Sequence, residues 1–497
     1  MIRSRKTSRV LAARLGVLLL PVLLLAPFVG LGRRGLFESD EGRYAAVALE
    51  MVESGEWIVP RFDPQAVHLS KPPLFYWALA ASMAAFGKSE WALRLPGVIG
   101  YWLGCLGVGL AARALGMRVW PAVWIFASAV PVSVAAEIVS TDMLLTGLGT
   151  LAVGCWLLSV ESSFGDRWRA LAGGLFGVAV LVKGTPALLP LLAMAAWRVW
   201  ERRSEPILGI AGWIAMMAVA LPWFVMVLLR HPDAGAYWLG YEVFARFFTG
   251  AHDRHSQWFG FIEAYAGVLV LGALPWAWLA WPRPGIHPGG DTDPKTRFLG
   301  WWFWLPLALL SLSRSRLPLY VLPLFAPAAL LLARRAEGRN ALACTLATSL
   351  ALLALGLGLR HVLAQWPSHR DARAEAASIA PWLRTDTERI VFLGMPAHYG
   401  LRFYTGVPVL RAEGTEFLRF RGENWMRLSD VGASRIVVVI GDNIGSETLA
   451  EARDRFRGAR WLSWERVRCG RQSLLCPELP EWASVSRFRD RSPEESP

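Results

Sequence analysis

The stretch Ile207-Leu-Gly-Ile-Ala-Gly-Trp-Ile-Ala-Met-Met-Ala-Val-Ala-Leu-Pro-Trp-Phe-Val-Met-Val-Leu-Leu229 runs for 23 residues without an ionisable side chain, and Arg202, Arg203 and Arg230 stand at its two ends. A helix of about 20 apolar residues crosses the roughly 30 Å of hydrocarbon in a bilayer, so this stretch reads as a membrane span. Working outward, further apolar segments fall at roughly 15–31, 95–112, 119–136, 143–160, 170–182, 185–200, 258–281, 298–312, 317–333 and 340–359. The chain is 54% hydrophobic and only 18% charged, which excludes an ordinary soluble enzyme and agrees with many spans. The expected fold class is a polytopic all-α membrane bundle of about 11–13 transmembrane helices, followed by a small α/β domain.

The formal charge of +13 would suggest a nucleic-acid surface in a soluble chain, but here the basic residues flank apolar runs and act as topology signals. No nucleic-acid partner is expected. Arg3, Arg5, Lys6, Arg9 and Arg14 precede the first apolar run, which reads as an uncleaved anchor with its N-terminus in the cytoplasm. Arg113/Arg118, Arg167/Arg169, Arg198/Arg202/Arg203, Arg283/Lys295/Arg297 and Arg334/Arg335/Arg339 then all fall inside. The expected location is a bacterial inner (plasma) membrane. Trp57, Trp91, Trp120, Trp200, Trp258, Trp281 and Trp301 lie near segment ends, where indole rings favour the membrane–water boundary.

This topology places on the outer face a first loop of about 33–94, the Thr141-Asp142 and Lys183-Gly184 turns, the loop from Arg230 to Gln257, the turn Ser313 to Arg316, and the chain beyond about 360. The segment Pro72–Gly87 is apolar but short and is expected to form a juxtamembrane or re-entrant helix. The domain boundary is set at 359/360, where charges become frequent. Arg389-Ile-Val-Phe-Leu-Gly394 and Arg435-Ile-Val-Val-Val-Ile-Gly441 read as strands, and Asp371–Leu383 and Ser446–Phe456 as helices, of a soluble α/β layer that ends in a disordered acidic tail. Cys469 and Cys476 are close enough to pair if their compartment is oxidising.

Polar groups gather on that one face, which suits a surface reaction better than a channel. Asp40, near the start of a helix expected from about Gly42, is either an N-cap or a group that deprotonates or positions an acceptor hydroxyl. Lys71, beside Pro72 and Pro73, is either a snorkelling interfacial lysine or a fixed positive charge. A departing lipid phosphate needs cations at its oxygens, and Lys71, Arg254 and Arg316 are the candidates, with Lys183 a weaker one. Asp142 is costly at membrane depth unless it is paired or caps a span end. His252-Asp253-Arg254-His255 reads as a solvated loop in preference to a metal site, and Ser311 to Tyr320 as plain surface or a phosphate grip.

The strings Asp40-Glu-Gly-Arg43-Tyr44, Glu50-Met-Val-Glu-Ser-Gly-Glu-Trp-Ile-Val-Pro60, Lys71-Pro-Pro-Leu-Phe-Tyr-Trp77 and Arg94-Leu-Pro96 resemble the first outer loop of the lipid A 4-amino-4-deoxy-L-arabinose transferase family, GT-C glycosyltransferases related to protein O-mannosyltransferases. Thr141-Asp142-Met143, Lys183-Gly184, His252-Asp-Arg254, Leu274-Pro-Trp276 and Ser313-Arg-Ser-Arg-Leu-Pro-Leu-Tyr320 extend the resemblance over roughly residues 35 to 335. It implies transfer of a sugar from undecaprenyl phosphate to lipid A or another envelope acceptor on the periplasmic face. Asp40 and Asp142 then match the catalytic acidic positions, Lys71 the lysine near the lipid phosphate, and Arg43, His252, Arg254 and Tyr320 cavity-lining positions. Tyr44 and Tyr76, in the same strings, and Arg316 complete the expected substrate-binding set. Ser70 departs from the Glu that many members carry there, which weakens a metal site using that carboxylate, and the family includes members whose sugars and acceptors differ. The resemblance fixes no cofactor and leaves room for a divalent cation. The rival readings are a protein O-mannosyltransferase-like enzyme, a lipid or glycan transporter and a non-catalytic envelope assembly protein.

Overall fold

The computed structural model describes residues 18–38, 40–63, 66–160, 162–249, 254–280, 294–336, 339–366, 368, 370–413, 425–427, 436–441 and 459–463. Cys469, Cys476, the expected helix Ser446–Phe456, His252 and Asp253 lie outside them. By contact the chain divides into two compact units, one made of residues 1–33 with 71–364 and the other of 34–70 with 365–497.

The first unit is a helical bundle. Five of its described helices are long and apolar enough to cross a membrane: Glu90–Ala114, Thr141–Ser159, Gly209–Arg230, Gly260–Leu279 and Ala341–Gln365. The expected spans 170–182 and 298–312 lie within the unbroken 19-residue helices Gly165–Lys183 and Pro294–Leu312, whereas 119–136, 185–200 and 317–333 are broken near prolines, which remove a backbone donor and clash with the preceding turn. Val119–Ser128 and Val130–Ala135 divide at Ala129, two residues before Pro131 in the second helix. Thr185–Leu188 and Pro318–Leu324 are 3-10 turns carrying Pro186, Pro318 and Pro323. The segment read as juxtamembrane is the 13-residue helix Leu74–Phe86, too short to span. The last apolar helix runs on to Gln365, past Arg360, because Arg360 meets Glu137 at 3.3 Å and donates to the Ser133 carbonyl.

Small residues set the closeness of this bundle. A Cβ on Gly147 would strike the backbone of Gly100, and one on Gly173 the backbone of Gly212. Helix Thr141–Ser159 thus lies directly on Glu90–Ala114, and Gly165–Lys183 on Gly209–Arg230, the small-residue packing that replaces the hydrophobic effect in lipid. Arg94, fully buried, donates to the Leu31 carbonyl at 2.9 Å and ties the chain leaving the first apolar run to this pair.

The second unit is α/β. Helix Asp40–Ser54 and the hairpin of β1 (Arg61–Asp63) and β2 (Ala66–Val67) come from the first loop. Strands β3 (Arg389–Leu393), β4 (Val409–Glu413), β5 (Trp425–Arg427), β6 (Ile436–Ile440) and β7 (Arg460–Ser463) form a parallel sheet in the order β5-β4-β3-β6-β7, with Val391 opposite Leu410 and Val438. Their nearly unbroken Val and Ile runs suit a parallel sheet, whose strands are buried on both faces. Asp371 caps helix Ala372–Ile379 by accepting from Arg373 N at 2.9 Å and Ala374 N at 3.4 Å.

The first loop is knitted into this unit. Glu38 N donates to the Arg370 carbonyl at 2.8 Å and Ala372 N to the Leu36 carbonyl at 2.9 Å. Buried Arg402 pairs with Glu50 and, at 2.7 Å, with Glu53, and it donates to the Phe62 carbonyl.

Candidate functional site

In the bundle, Asp142 enters the first turn of helix Thr141–Ser159 behind Ser140, whose side chain accepts from Asp142 N at 3.3 Å. Lys183 closes the last turn of Gly165–Lys183. The two helices are neighbours, and the Lys183 ammonium bonds the Asp142 carboxylate in a pair that is almost entirely buried. Each charge also complements its helix end, acid at the N-terminus and base at the C-terminus. The serine, not Asp142, is the cap, so the carboxylate is free of capping duty and engaged by lysine. The same ammonium sits 4.4 Å from the centre of the Tyr320 ring, a cation–π contact that joins the 3-10 turn Pro318–Leu324 to the pair.

Gly184 then turns the chain with a positive φ of 69°, and the Pro72 ring lies 3.9 Å from where its Cβ would be. This contact brings the Lys71-Pro72-Pro73 string beside the Lys183 turn. Lys71 Nζ lies 3.4 Å from the Glu242 carboxylate, which also takes Arg246 at 2.7 Å and the Tyr237 hydroxyl at 3.0 Å. Burial, with Glu242 beside it, pushes the Tyr237 hydroxyl far above the usual phenol range. Tyr76 is fully buried in helix Leu74–Phe86.

The segment from Arg230 to Gln257, expected to be a loop, is helical over Ala234–Ala236, Tyr237–Ala245 and Arg246–Phe248, the middle part a π-helix. Arg254 pairs with Ser315 in a short parallel bridge, and Arg316 N donates to the Arg254 carbonyl at 2.9 Å. Arg316 is 3% exposed and its guanidinium donates to three carbonyls, those of His255 and Gln257 at 2.6 Å and Ser311 at 2.9 Å. Its fork is taken up in stapling this turn. Among the described residues no carboxylate pairs with Arg254.

Tyr320 also borders a narrow apolar cleft of about 30 Å³ in the bundle, lined by Leu145, Thr150, Pro186, Pro190 and Trp302 among others. A cation-rich polar rim and an apolar cleft thus adjoin at Tyr320, the chemistry for a ligand with an anionic head and a hydrocarbon tail. Among the described residues no three His, Cys, Asp or Glu side chains gather as metal ligands.

The remaining expected residues belong to the other unit. The helix there begins at Asp40 itself, slightly earlier than expected, so Asp40 lies in its first turn, half-exposed and paired with Arg43 one turn on. Glu41 takes the Phe37 N–H at 2.7 Å and Arg34 at 2.7 Å, supplying the anchoring that the N-cap reading assigned to Asp40. Tyr44 is buried within the unit. Glu38 is buried too, accepting from Gly400 N, and burial together with the Glu375 carboxylate holds its pKa well above the usual glutamate range.

The sequence reading missed Tyr237, Glu242 and Arg246. The spacing of four from Glu242 to Arg246 was a readable helical signal. The spacing of five from Tyr237 was not, because it acquires meaning only in a π-helix.

Together these features define a helical membrane protein that also carries a parallel α/β unit. The same fold is seen in ArnT from Cupriavidus metallidurans, whose crystal structure bound to undecaprenyl phosphate superposes with a TM-score of 0.65 at 22% identity, over 81% of this chain and 86% of that one. A family model described as dolichyl-phosphate-mannose-protein mannosyltransferase matches residues 70–229. The chain is similar to the undecaprenyl phosphate-alpha-4-amino-4-deoxy-L-arabinose arabinosyl transferases of Pseudomonas savastanoi pv. phaseolicola, 34% identical over 64% of this chain, and Edwardsiella ictaluri, 31% identical over 69%. It spans 60% and 64% of the length of these two relatives.

Proposed function

We propose that this chain is an integral-membrane glycosyltransferase that moves a sugar from undecaprenyl phosphate to a cell-envelope acceptor such as lipid A. The observation that carries the reading is the cation-rich rim that adjoins an apolar lining at Tyr320: Lys71, Lys183, Arg246 and Arg254 suit a phosphate, and the apolar lining suits the first hydrocarbon units attached to it. The arabinosyl transferase relatives and the shared fold support it.

In this reading Lys71 and Arg254 stabilise the charge that builds on the phosphate as the glycosidic bond breaks. Asp142 holds Lys183 in place, Tyr320 and Tyr76 line the donor site, and Arg316 shapes the turn that carries Arg254. Asp40 positions the acceptor, or takes its proton where the acceptor is a hydroxyl, with Arg43 and Tyr44 assisting. The rim faces the periplasm, as does the C-terminal α/β segment, and the N-terminus is cytoplasmic, following the alternation of basic loops. The match to the mannosyltransferase family model favours, as a second reading, a protein acceptor in place of lipid A.

The deciding experiment is transfer from radiolabelled undecaprenyl-phosphate sugars to lipid A and to envelope protein, by purified protein beside Asp40→Asn and Lys71→Ala. The expected result is transfer that both substitutions abolish in folded protein, with the labelled product naming the acceptor. Transfer unaffected by Asp40→Asn would remove Asp40 from the mechanism. No transfer with any donor would favour the transporter reading. Activity that survives a chelator would set aside a divalent cation.

A further inference from the structure

Glu242 faces Lys71 on the rim, and among the described residues its carboxylate meets Lys71, Arg246 and the Tyr237 hydroxyl. Its position is built by backbone geometry. In an α-helix residues five apart diverge, whereas the wider π-helix from Tyr237 to Ala245 sets Tyr237 and Glu242 on one face, and Arg246 follows one α-turn later. Glu242, Lys71 and Arg246 are each 13–19% exposed in their side chains, so the charges interact through a medium less polar than water yet remain reachable. Both cations meet the same Glu242 oxygen, Oε2, while Oε1 accepts from the Tyr237 hydroxyl, so the carboxylate offers the two cations the kind of anionic oxygen that a phosphate monoester or diester offers.

We propose that Glu242 is a positioning residue that competes with the donor's phosphate for Lys71 and Arg246, so that it weakens donor binding and hastens release of undecaprenyl phosphate after transfer. This inference rests on the transferase reading above. When the phosphate enters, the carboxylate gives up Lys71 and keeps the Tyr237 hydroxyl. When the sugar has left, the carboxylate returns to the lysine and displaces the spent lipid. No covalent step is involved; the exchange trades one ion pair for another.

The test measures binding of undecaprenyl phosphate and of uncharged undecaprenol to the full-length protein in detergent, with steady-state kinetics, for wild type, Glu242→Gln and Glu242→Asp. Glu242→Gln is expected to bind undecaprenyl phosphate roughly five- to fifty-fold tighter. It should leave undecaprenol binding unchanged and lower both KM for the donor and kcat, the latter through slow release. Glu242→Asp, which keeps the charge, should stay near wild type in all of these. Unchanged or weaker binding of undecaprenyl phosphate by Glu242→Gln, with wild type still preferring it to undecaprenol, would overturn the competition and leave the transferase standing. A wild-type protein that does not prefer the phosphate over the alcohol would overturn the transferase reading and this inference with it.

Discussion

Lys183 and Asp142, 41 residues apart in sequence, meet at the ends of two antiparallel neighbouring helices and form a buried ion pair with the Tyr320 ring against the ammonium. A charge pair at that depth is maintained only while both members are present, because each alone is an uncompensated charge in a poorly polar medium.

Removing one member should therefore cost more than removing both. Lys183→Met or Asp142→Leu alone is expected to lower stability by roughly 3–5 kcal/mol, whereas the double substitution should recover most of that loss. Transfer activity should stay lost in all three, since the rim loses its shape. Thermal unfolding of the three proteins in detergent checks this; a double variant no more stable than the singles would show that the pair is not what holds the two helix ends.

The glycine of the Asp40-Glu-Gly-Arg string has a packing reason. A Cβ at position 42 would come within 2.5 Å of both Gly400 N and Glu38 Oε1, so the helix carrying Asp40 is pressed against the turn at Gly400. Gly42→Ala is expected to destabilise the protein by about 1–3 kcal/mol, the usual cost of overpacking, and to reduce activity by shifting Asp40. An alanine variant with unchanged melting temperature and rate would mean that the turn yields freely.

The sequence was most legible where one physical signal dominates. Uninterrupted apolar runs placed the bundle helices, and the Ile390-Val-Phe and Ile436-Val-Val-Val runs placed two adjacent parallel strands, because burial on both faces leaves no other composition. The breaks near Pro131, Pro186 and Pro318 were not legible, because Pro96, Pro222 and Pro306 are carried inside unbroken helices and proline alone does not say which run will divide. Lys183 ranked low as a candidate because its partner is far along the chain. The grouping of residues 34–70 with the C-terminal segment was equally hidden, since it depends on contacts such as Arg402 with Glu50, 352 positions apart.

Glu38 makes the stability of its unit depend on pH in a definite direction. Its pKa is raised above the unfolded value, so the native state holds the proton more tightly, and the stabilisation is complete below the ordinary glutamate range. As pH rises from that range through the raised native value, the stabilisation is lost. Glu38→Gln, neutral throughout, is expected to flatten this decline, measured as melting temperature against pH. An identical slope in the two proteins would show that Glu38 is ionised in the native state.

Arg316 offers the sharpest separation between two roles for a cation. As a direct phosphate ligand it would act largely through its charge, and lysine would replace it in part. In the structure its planar fork is committed to the carbonyls of His255, Gln257 and Ser311, and a lysine ammonium cannot reproduce that fixed three-way geometry. Arg316→Lys is therefore expected to lower the melting temperature and to reduce transfer by about tenfold or more, the loss that misplacement of a positioned group brings. Salt dependence of donor binding should meanwhile stay as in wild type, because the count of cations facing the phosphate is unchanged. If Arg316→Lys keeps its melting temperature and loses only donor affinity, the guanidinium belongs to the phosphate and not to the turn.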